Sequence, residues 1–480
     1  MTAIAIFDIA SALMLACLGV ALQAVPPARS ARLGWIALAV AMVVVASVRC
    51  LTDAKTGLDL AVTALLIGVV LTVGREVLIR RAWPAGSFVV AIAVVTAVGI
   101  YGRSHRLAEI AETADRPLQP DVVYYQQQAL ATANPFAAGY KSPLWPALHS
   151  PLVRLMVDRD LAMRLLSWAF GILMLPAVAV GMGRLFEPLV GVIVAGLLAA
   201  DTFLIDLCTQ GLREELGICL WMAVLVLLFE QRQFTWKRTL AAGMTAGILL
   251  LLRNTDLPVL MVLLGYALIR ARTPLPRILA GLALPLAIVA PFYVNQYRAY
   301  GDPFYLEKRD ARYHANLEFR SRGAPPGLTM PTEAEYARDL YAGEPLSPAA
   351  YLFAYHDARE IVANQWNGLR RVLLGDPFAA DFSLWLRLAC AAGVVATLLR
   401  PGQRFAGLFV AGSVLGIRAH LMAIGHFEQR LLLPVMVIWL AAGWWLITAG
   451  VRAGLGRWVV YTQHVGRDEG RGTRDEGQED

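Results

Sequence analysis

Residues 161–182 read LAMRLLSWAFGILMLPAVAVGM, and this stretch decides the fold class. Arg164 is its only charged residue. An α-helix of this length is about 33 Å long at 1.5 Å per residue, which is enough to cross the roughly 30 Å hydrocarbon layer of a bilayer. The stretch therefore predicts a membrane-spanning helix.

Apolar runs of this kind recur along nearly the whole chain of 480 residues. Hydrophobic residues make up 58% of the chain and charged residues 16%, and the mean hydropathy is +0.55, which is far from the balance of soluble domains. The two runs within 239–269 are short and could form a tight or re-entrant hairpin. The sequence predicts an all-α polytopic membrane protein with about 13 transmembrane helices, near residues 4–25, 32–48, 58–79, 87–101, 161–182, 188–205, 214–230, 239–252, 256–269, 278–294, 383–399, 405–421 and 431–450.

The basic residues of the short loops predict how the chain is oriented, because loops rich in lysine and arginine tend to remain cytoplasmic. They place the N-terminus outside and two long polar segments, 102–160 and 295–382, on the outer face. The cytoplasmic loops therefore account for the net charge of +7, and binding of a nucleic acid is not needed to explain it. The basic residues that carry this argument are Arg29, Arg32, Arg75, Arg80, Arg81, Arg184, Arg232, Lys237, Arg238, Arg270, Arg272, Arg277, Arg400 and Arg404.

The hydropathy pattern divides the chain into five parts. We expect the first span to be retained rather than cleaved as a signal peptide, because no basic region precedes it. The five cysteines are scattered without the spacing of a metal site or a disulfide framework. The parts are three N-terminal transmembrane helices (1–86), a transmembrane core that includes the outer loop 102–160 (87–294), an outer segment (295–382), C-terminal transmembrane helices (383–450) and a charged cytoplasmic tail that is expected to be disordered (451–480).

The outer loop 102–160 carries the first group of candidate functional residues. Asp121, Tyr124 and Tyr125 come just before a short amphipathic helix predicted over 126–133. Asp121 and Tyr125 lie one helical turn apart, so an acceptor hydroxyl could meet a carboxylate and a phenol together. The carboxylate could act as a general base or hold a divalent cation. The alternative is an ordinary acidic residue at a helix N-terminus.

Lys141 is the second candidate, in the sequence GYKSPLWP that leads back toward the membrane. A lysine can bind a lipid phosphate as a point charge, and Trp145 is the kind of residue that lies at a membrane interface. The alternative is that Lys141 binds no ligand, and that its aliphatic chain lies along apolar surface while its ammonium group extends to the interface.

Three further polar groups lie near the outer ends of predicted spans, where ionisable residues are costly and often functional. Each could bind a substrate or cation, or could instead be a structural charge cluster at the interface. The groups are Arg213, Glu214 and Glu215 in QGLREELG, Arg253 in LLRNTDLP, and His426 and Arg430 in GHFEQRLLLP.

These elements, in this order, resemble the GT-C class of membrane glycosyltransferases, in particular the branch with protein mannosyltransferases and aminoarabinose transferases. The resemblance extends from about residue 87 to 450. Its elements are Asp121, KSPLWP, RLLSWAFGIL, LLAADTFLI, QGLREELG, LLRNTDLP, PFYVNQYRAYGDPF and FEQRLLLPVMVIWLAAG.

The resemblance implies transfer of a sugar from a polyprenyl-phosphate donor to an acceptor on the outer face, by an inverting displacement. It implies that Asp121 is a base or cation ligand, that Lys141 contacts the donor phosphate, and that Glu214 or Glu215 is a second acidic catalytic site. Arg430 is a further donor-phosphate candidate. Tyr124, Tyr125, Arg213, Arg253 and His426 are the remaining substrate-binding candidates. No cofactor follows, apart from a divalent cation that Asp121 could hold.

The expected partners are a polyprenyl-phosphate sugar, a lipid, glycan or protein acceptor, and membrane lipids, with no nucleic acid. The expected location is a bacterial inner membrane, with the active site facing the periplasm or exterior. Two other functions stay open. The chain could be a transporter or lipid flippase, although we find no inverted repeat of the kind common in transporters, or it could be a non-catalytic subunit of cell-envelope assembly.

Overall fold

The computed structural model of the protein describes residues 85–113, 118–139, 141–228, 234–374, 384–399, 404–413 and 433–450. These residues form helices and connecting turns, with no β-strand among them. The helices, numbered here in chain order, are α1 (Ala85–Thr113), α2 (Pro120–Ala131), α3 (Leu144–Leu155), α4 (Arg159–Leu185), α5 (Pro188–Ala200), α6 (Thr202–Leu207), α7 (Glu214–Leu228), α8 (Trp236–Leu252), α9 (Leu257–Arg270), α10 (Leu275–Tyr300), α11 (Tyr305–Arg322), α12 (Glu333–Arg338), α13 (Pro348–Phe353), α14 (Ala358–Leu374), α15 (Leu384–Leu399), α16 (Arg404–Ser413) and α17 (Leu433–Gly450).

Four of the described helices are long and apolar enough to cross a membrane, namely Phe88–Glu112, Arg159–Leu185, Leu275–Tyr300 and Leu433–Gly450. Shorter apolar helices cover Pro188–Ala200 and Leu388–Leu399. The prediction of an all-helical membrane protein is thus confirmed at this coarser level. The count of about 13 spans stays a prediction, because the first three spans lie outside the described residues.

Several predicted boundaries differ from the observed ones for local reasons. Helix α1 continues past the predicted end at residue 101 as far as Thr113, into the loop that we expected to be outside the membrane. The helix predicted over 126–133 is instead α2, which begins at Pro120. A proline suits the first turn of a helix, since its φ is already helical and its missing N–H has no partner there.

The predicted span 188–205 is two helices with a break at Asp201, whose carboxylate accepts a hydrogen bond from the N–H of Leu204 and begins α6. The fully buried Arg103 of α1 lies at this break and donates to the carbonyls of Leu198 (3.1 Å) and Ala199 (3.4 Å). These carbonyls belong to the last turn of α5, which has no intrahelical partners for them. The arginine thus satisfies a helix end inside the core.

The transmembrane core is one large cluster of buried apolar side chains from α1 to α11, which contributes Leu306, and from α15 to α17. Helix α4 packs against α1, α5 and α7, while α8 packs mainly against α10. A single 3₁₀ turn, Asn254–Asp256, joins α8 to α9. Trp221 of α7 holds that turn through a 2.9 Å hydrogen bond from its indole N–H to Asp256.

The outer segment has a small core of its own, formed by Ala311, Ala315, Phe319, Leu328 and Tyr351. Helix α11 is its central element, and the helix before it, α10, ends at Gly301 with φ +72°. This left-handed conformation suits glycine and is a common way for a helix to end. The turn at Gly301 directs α11 back over the residues of the outer loop.

Candidate active site

The structure brings Asp121 and Lys141 together with a third residue, Tyr341 of the outer segment. Lys141 Nζ lies 3.2 Å from Asp121 Oδ1 and donates a 2.8 Å hydrogen bond to the hydroxyl of Tyr341. The side chains of Lys141 and Asp121 are 18% and 27% exposed. Burial alone would lower the pKa of Lys141, but Asp121 and Tyr341 outweigh it and hold the pKa above its usual value. The lysine is therefore a permanent cation beside a carboxylate.

The loop that carries Lys141 is fixed at several points by other elements. Two side chains near the end of α10 hold its backbone, because Asn295 donates to the carbonyl of Phe136 and Gln296 to that of Gly139, each at 2.8 Å. The fully buried Trp145 of α3 donates a 3.0 Å hydrogen bond to the carbonyl of Gly211. Trp145 therefore anchors the re-entry into the membrane rather than resting at an exposed interface.

Tyr125, Arg213 and Glu214 lie next to this pair. The guanidinium carbon of Arg213 is 5.9 Å from the centre of the Tyr125 ring, and its Nη1 donates a 2.7 Å hydrogen bond to the carbonyl of Leu252. Burial raises the pKa of Tyr125, and the charges that act on its hydroxyl come from Arg213, Lys141, Asp121 and Glu214. The phenol is therefore neutral at the centre of the charged groups. Tyr124 has its ring 6.5 Å from that of Tyr125 and lies farther out.

The two adjacent glutamates have different environments. Glu214 accepts a 3.0 Å hydrogen bond from the N–H of Arg213 and acts electrostatically on Tyr125. Glu215 is fully buried and accepts a 3.3 Å hydrogen bond from the hydroxyl of Ser167, while its other carboxylate oxygen has no hydrogen bond within the described residues. Consecutive residues of a helix point about 100° apart. The geometry therefore favours Glu214 over Glu215 as a residue of the site.

Asn254 connects the site to the outer segment. Its side-chain amide donates a 2.9 Å hydrogen bond to Glu307 Oε1, which also accepts one of 2.8 Å from the hydroxyl of Tyr293. Ser142, next to Lys141, donates to the amide oxygen of Asn254 at 3.4 Å. The neighbouring Arg253 is 6% exposed, and among the described residues its side chain has no hydrogen bond or ion pair. A buried cation in that state could receive an anionic ligand.

Sequence reasoning missed three residues of this site, all from the outer segment: Glu307, Asp310 and Tyr341. Asp310 lies within electrostatic range of Lys141, Arg213, Glu307 and Asp121. The segment contains many tyrosines, so residue type alone does not single out Tyr341. The spacing of Glu307, Asp310 and Tyr313, each three residues apart on a helix, is a sequence signal for a polar face and could have drawn attention to α11.

Two expectations remain without a structural outcome. His426 and Arg430 lie outside the described residues. Asp121 was a candidate ligand for a divalent cation, but no group of three or more histidine, cysteine, aspartate or glutamate residues in the described part of the chain is arranged to hold a metal ion. The site as described is organised around an ion pair.

A family model described as dolichyl-phosphate-mannose-protein mannosyltransferase matches residues 140–294. The matched region contains Lys141, Arg213, Glu214 and Arg253, whereas Asp121 and the outer segment lie beyond it. The match confirms the resemblance to the GT-C class and supports a membrane glycosyltransferase of that type. A search of curated proteins found no significant match.

Among solved structures, the chain is similar to the oligosaccharyltransferase of Archaeoglobus fulgidus. In the apo form the identity is 11%, with 79% of this chain and 52% of that chain covered and a TM-score of 0.41. For the complex with Zn and sulfate the identity is 12%, the coverage 78% and 51%, and the TM-score 0.41. For the form tethered to an acceptor peptide these values are 12%, 74% and 49%, and 0.39. The chain thus spans about half the length of these proteins.

Proposed function

We propose that the protein transfers a sugar from a polyprenyl-phosphate donor to an acceptor on the outer face of a bacterial inner membrane, with inversion at the anomeric carbon. The observation that carries this proposal is the contact of Lys141 with Asp121 and Tyr341, next to Tyr125 of the apolar helical core. A cation can stabilise the charge that develops on a leaving phosphate, and a carboxylate can accept the proton of an acceptor hydroxyl.

The donor requires two different surroundings, and the chain offers both. Its polyprenyl tail needs apolar helices at membrane depth, which the core supplies. Its phosphate needs positive charge at the end of those helices, where Lys141 and Arg213 lie close enough to act on the same phenol, Tyr125. A lysine contacts phosphate as a point charge, while an arginine can make two parallel hydrogen bonds to it.

The displacement can be written with these groups. An acceptor oxygen attacks the anomeric carbon from the face opposite the phosphate, and the bond between that carbon and the phosphate oxygen breaks. Its electron pair goes to the phosphate oxygen, where Lys141 and Arg213 stabilise the charge that develops. The acceptor loses its proton to a carboxylate of the site, where the resemblance names Asp121 as a base or a cation ligand.

Donor binding to the purified protein in lipid nanodiscs tests the proposal most directly. A polyprenyl-phosphate sugar should bind, and the sugar nucleotide should not. Lys141→Ala should weaken donor binding about 10- to 150-fold, because a hydrogen bond to a charged group contributes about 1.5–3 kcal/mol and about 1.4 kcal/mol is a factor of ten. Lys308→Ala is the matched control, because Lys308 also pairs with an aspartate, Asp302, but on the outer segment.

The outcomes separate the competing functions. Lipid-donor binding that depends on Lys141 and not on Lys308 supports the transferase. Wild-type protein that binds no lipid-linked sugar at all would refute the proposal and would favour transport or assembly. Equal loss in both variants would show that Lys141 acts through stability rather than through contact with the donor.

A further inference from the structure

One face of α11 is directed at the ion pair of the candidate site. Glu307 is fixed at one end by Asn254 and Tyr293. Six residues further on, the ring of Tyr313 stacks on that of Tyr341 with centres 4.9 Å apart, and Tyr341 accepts the hydrogen bond of Lys141. Asp310 is midway between Glu307 and Tyr313 on the same helix face. The contacts on either side therefore place Asp310 at the site.

Asp310 differs from Asp121 in its partners. Asp121 is 3.2 Å from the ammonium group of Lys141. Asp310 has no hydrogen bond or ion pair to any described residue, although Lys141 and Arg213 attract its charge and Glu307 and Asp121 repel it. The oxygen of Asp121 that contacts Lys141 is engaged with that cation. The carboxylate of Asp310 has no such contact with any residue that the structure describes and is open to a hydroxyl group of an acceptor.

The protonation equilibrium of Asp310 agrees with this contrast. Burial raises the pKa of Asp310 to about 6, against the opposing effect of Lys141 and Arg213. A general base works best when its pKa is close to the working pH, because it is then both deprotonated and basic enough.

We propose that Asp310 is the general base of the transfer reaction and that Asp121 positions Lys141 for the donor phosphate. The inference rests on the proposed function. In this step the acceptor oxygen forms the bond to the anomeric carbon as its proton passes to an Asp310 carboxylate oxygen. The bond from that carbon to phosphate breaks, and its electron pair stays on the phosphate oxygen beside Lys141. The outer segment thus supplies a group that takes part in the chemistry.

Kinetics of three aspartate variants with a lipid-linked donor test the division of roles. Asp310→Asn should lower kcat about 10²- to 10⁴-fold, the usual contribution of general-base catalysis, and leave donor KM unchanged. Asp121→Asn should mainly raise donor KM. Glu333→Gln, which breaks the ion pair of Glu333 with Arg320 on the exposed α12, is the control for disturbance of the outer segment. Asp310→Glu, which keeps a carboxylate, should recover part of the lost kcat.

The dependence of kcat on pH gives a readout that a merely structural role would not change. Wild-type kcat should rise with pH through about 6 as Asp310 loses its proton, and this rise should be absent in Asp310→Asn. A variant with wild-type kcat and the same acidic limb would overturn the assignment of Asp310 while leaving the transferase intact. Wild-type protein that transfers no sugar from any lipid-linked donor would instead refute the proposed function, and this inference with it.

A second inference concerns α14 and is independent of the reaction. Its outward face exposes Val362 and Trp366, at 68% and 65%. Its inward side carries the half-buried Asn364 and Gln365, whose Nδ2 and Oε1 atoms have no hydrogen bond within the described residues. A helix at a water-exposed surface has the opposite arrangement, with its apolar stripe inward. The outward face is therefore suited to an apolar environment.

We infer that α14 lies on the outer surface of the bilayer, with Val362 and Trp366 at the level of the lipid headgroups. Arg359 is exposed three residues before Val362, and a cation beside an apolar face favours anionic lipid. Tryptophan is enriched at this depth. Helix α14 also packs against α15, an apolar helix that is predicted to span the membrane. The bilayer is therefore adjacent to the exposed face.

Photo-crosslinking in vesicles of phosphatidylcholine and phosphatidylglycerol tests this location. Benzoylphenylalanine in place of Trp366 should form adducts with lipid. The same group in place of Glu333, on the exposed and polar α12, should form none and serves as the control. A crosslink from position 366 to a second copy of the chain, or equal lipid labelling at both positions, would overturn the inference.

Discussion

The substitution Gly343→Ala should disturb the site from a position that touches no substrate. Gly343 has φ +96° and ends the turn that carries Tyr341. Three side chains of α11 hold this turn, since Arg309 pairs with Asp339 while Arg312 and Asn316 both donate to the carbonyl of Ala342. A Cβ at residue 343 would lie 2.5 Å from Arg312 Nη2. The guanidinium cannot move away freely, because the same nitrogen donates a 2.6 Å hydrogen bond to Thr329.

The expected cost of Gly343→Ala has two parts. A side chain in the left-handed region costs about 1–2 kcal/mol, and forcing an extra carbon into a packed site costs about 1–3 kcal/mol. Gly323→Ala is the matched control, because Gly323 has φ +91° but no atom within 4 Å of its Cβ position. Both costs apply to Gly343→Ala, so its turn should open about 30- to several-thousand-fold more often than in the wild type, since about 1.4 kcal/mol is a factor of ten. Only the backbone cost applies to the control, so the chain around residue 323 should open about 5- to 30-fold more often.

Hydrogen exchange of the peptide that covers residues 339–344 measures this opening in detergent. The donor KM should rise in Gly343→Ala and stay at the wild-type value in Gly323→Ala, because the first substitution displaces Tyr341 from Lys141. If both variants lose the same protection and keep the same donor KM, the steric reasoning and the link from this turn to the site are both wrong.

Three further predictions follow from single contacts. Tyr341→Phe removes the 2.8 Å hydrogen bond from Lys141 and should raise donor KM about 2- to 10-fold, the effect of about 0.5–1.5 kcal/mol, in steady-state assays. Trp221→Phe leaves Asp256 buried without its 2.9 Å partner, so the thermal midpoint in detergent should fall. The outer segment should be most stable between about pH 4.3 and 6.5, the usual pKa values of glutamate and histidine. Hydrogen exchange measured as a function of pH should show that the outer segment of His356→Gln no longer loses stability at high pH.

The sign of that pH dependence comes from the buried pair of His356 and Glu318, whose side chains are 2.9 Å apart. Burial lowers the pKa of His356, but the hydrogen bond and charge of Glu318 outweigh it, so its pKa is raised. The contribution of His356 to the stability of the outer segment is therefore present at low pH and is lost as the pH rises through the pKa of His356 in the folded state. Burial raises the pKa of Glu318, but His356 and Tyr351 outweigh it and lower the pKa. Its contribution is present above its unfolded pKa and is lost as the pH falls through the folded value.

The membrane class and the course of several helices could be predicted from the sequence, because apolar length alone specifies them. The stretch 161–182 lies within the helix Arg159–Leu185. The predicted helix boundaries were wrong where a residue at the helix terminus determines where the helix begins or ends. Asp201 ends one helix and begins another, and Pro120 starts α2 six residues before the predicted beginning. Both signals were present in the sequence but are weaker than hydropathy.

The site shows a different limit of sequence reasoning. Asp121 and Lys141 could be selected because each is an ionisable group in a polar insert next to membrane spans, and the structure places them 3.2 Å apart. Tyr341 could not be selected in the same way, since 200 residues separate it from Lys141 and only the fold brings them into contact. Adjacent Glu214 and Glu215 could not be ranked either, because the rotation of α7 alone decides which of them faces the site.

The charges of the site indicate why an outer segment would be part of it. Lys141 and Arg213 must remain cations for a phosphate, but a membrane-facing site holds unpaired cations only at a cost. Asp121 and Asp310 provide the compensating charge, one from the outer loop and one from α11. When a donor phosphate enters, it takes over part of that compensation, and Asp310, which has no fixed partner among the described residues, is available to accept a proton. Ion pairing with Lys141 and proton acceptance are then divided between Asp121 and Asp310, and the position of α11 decides where the second of these carboxylates acts.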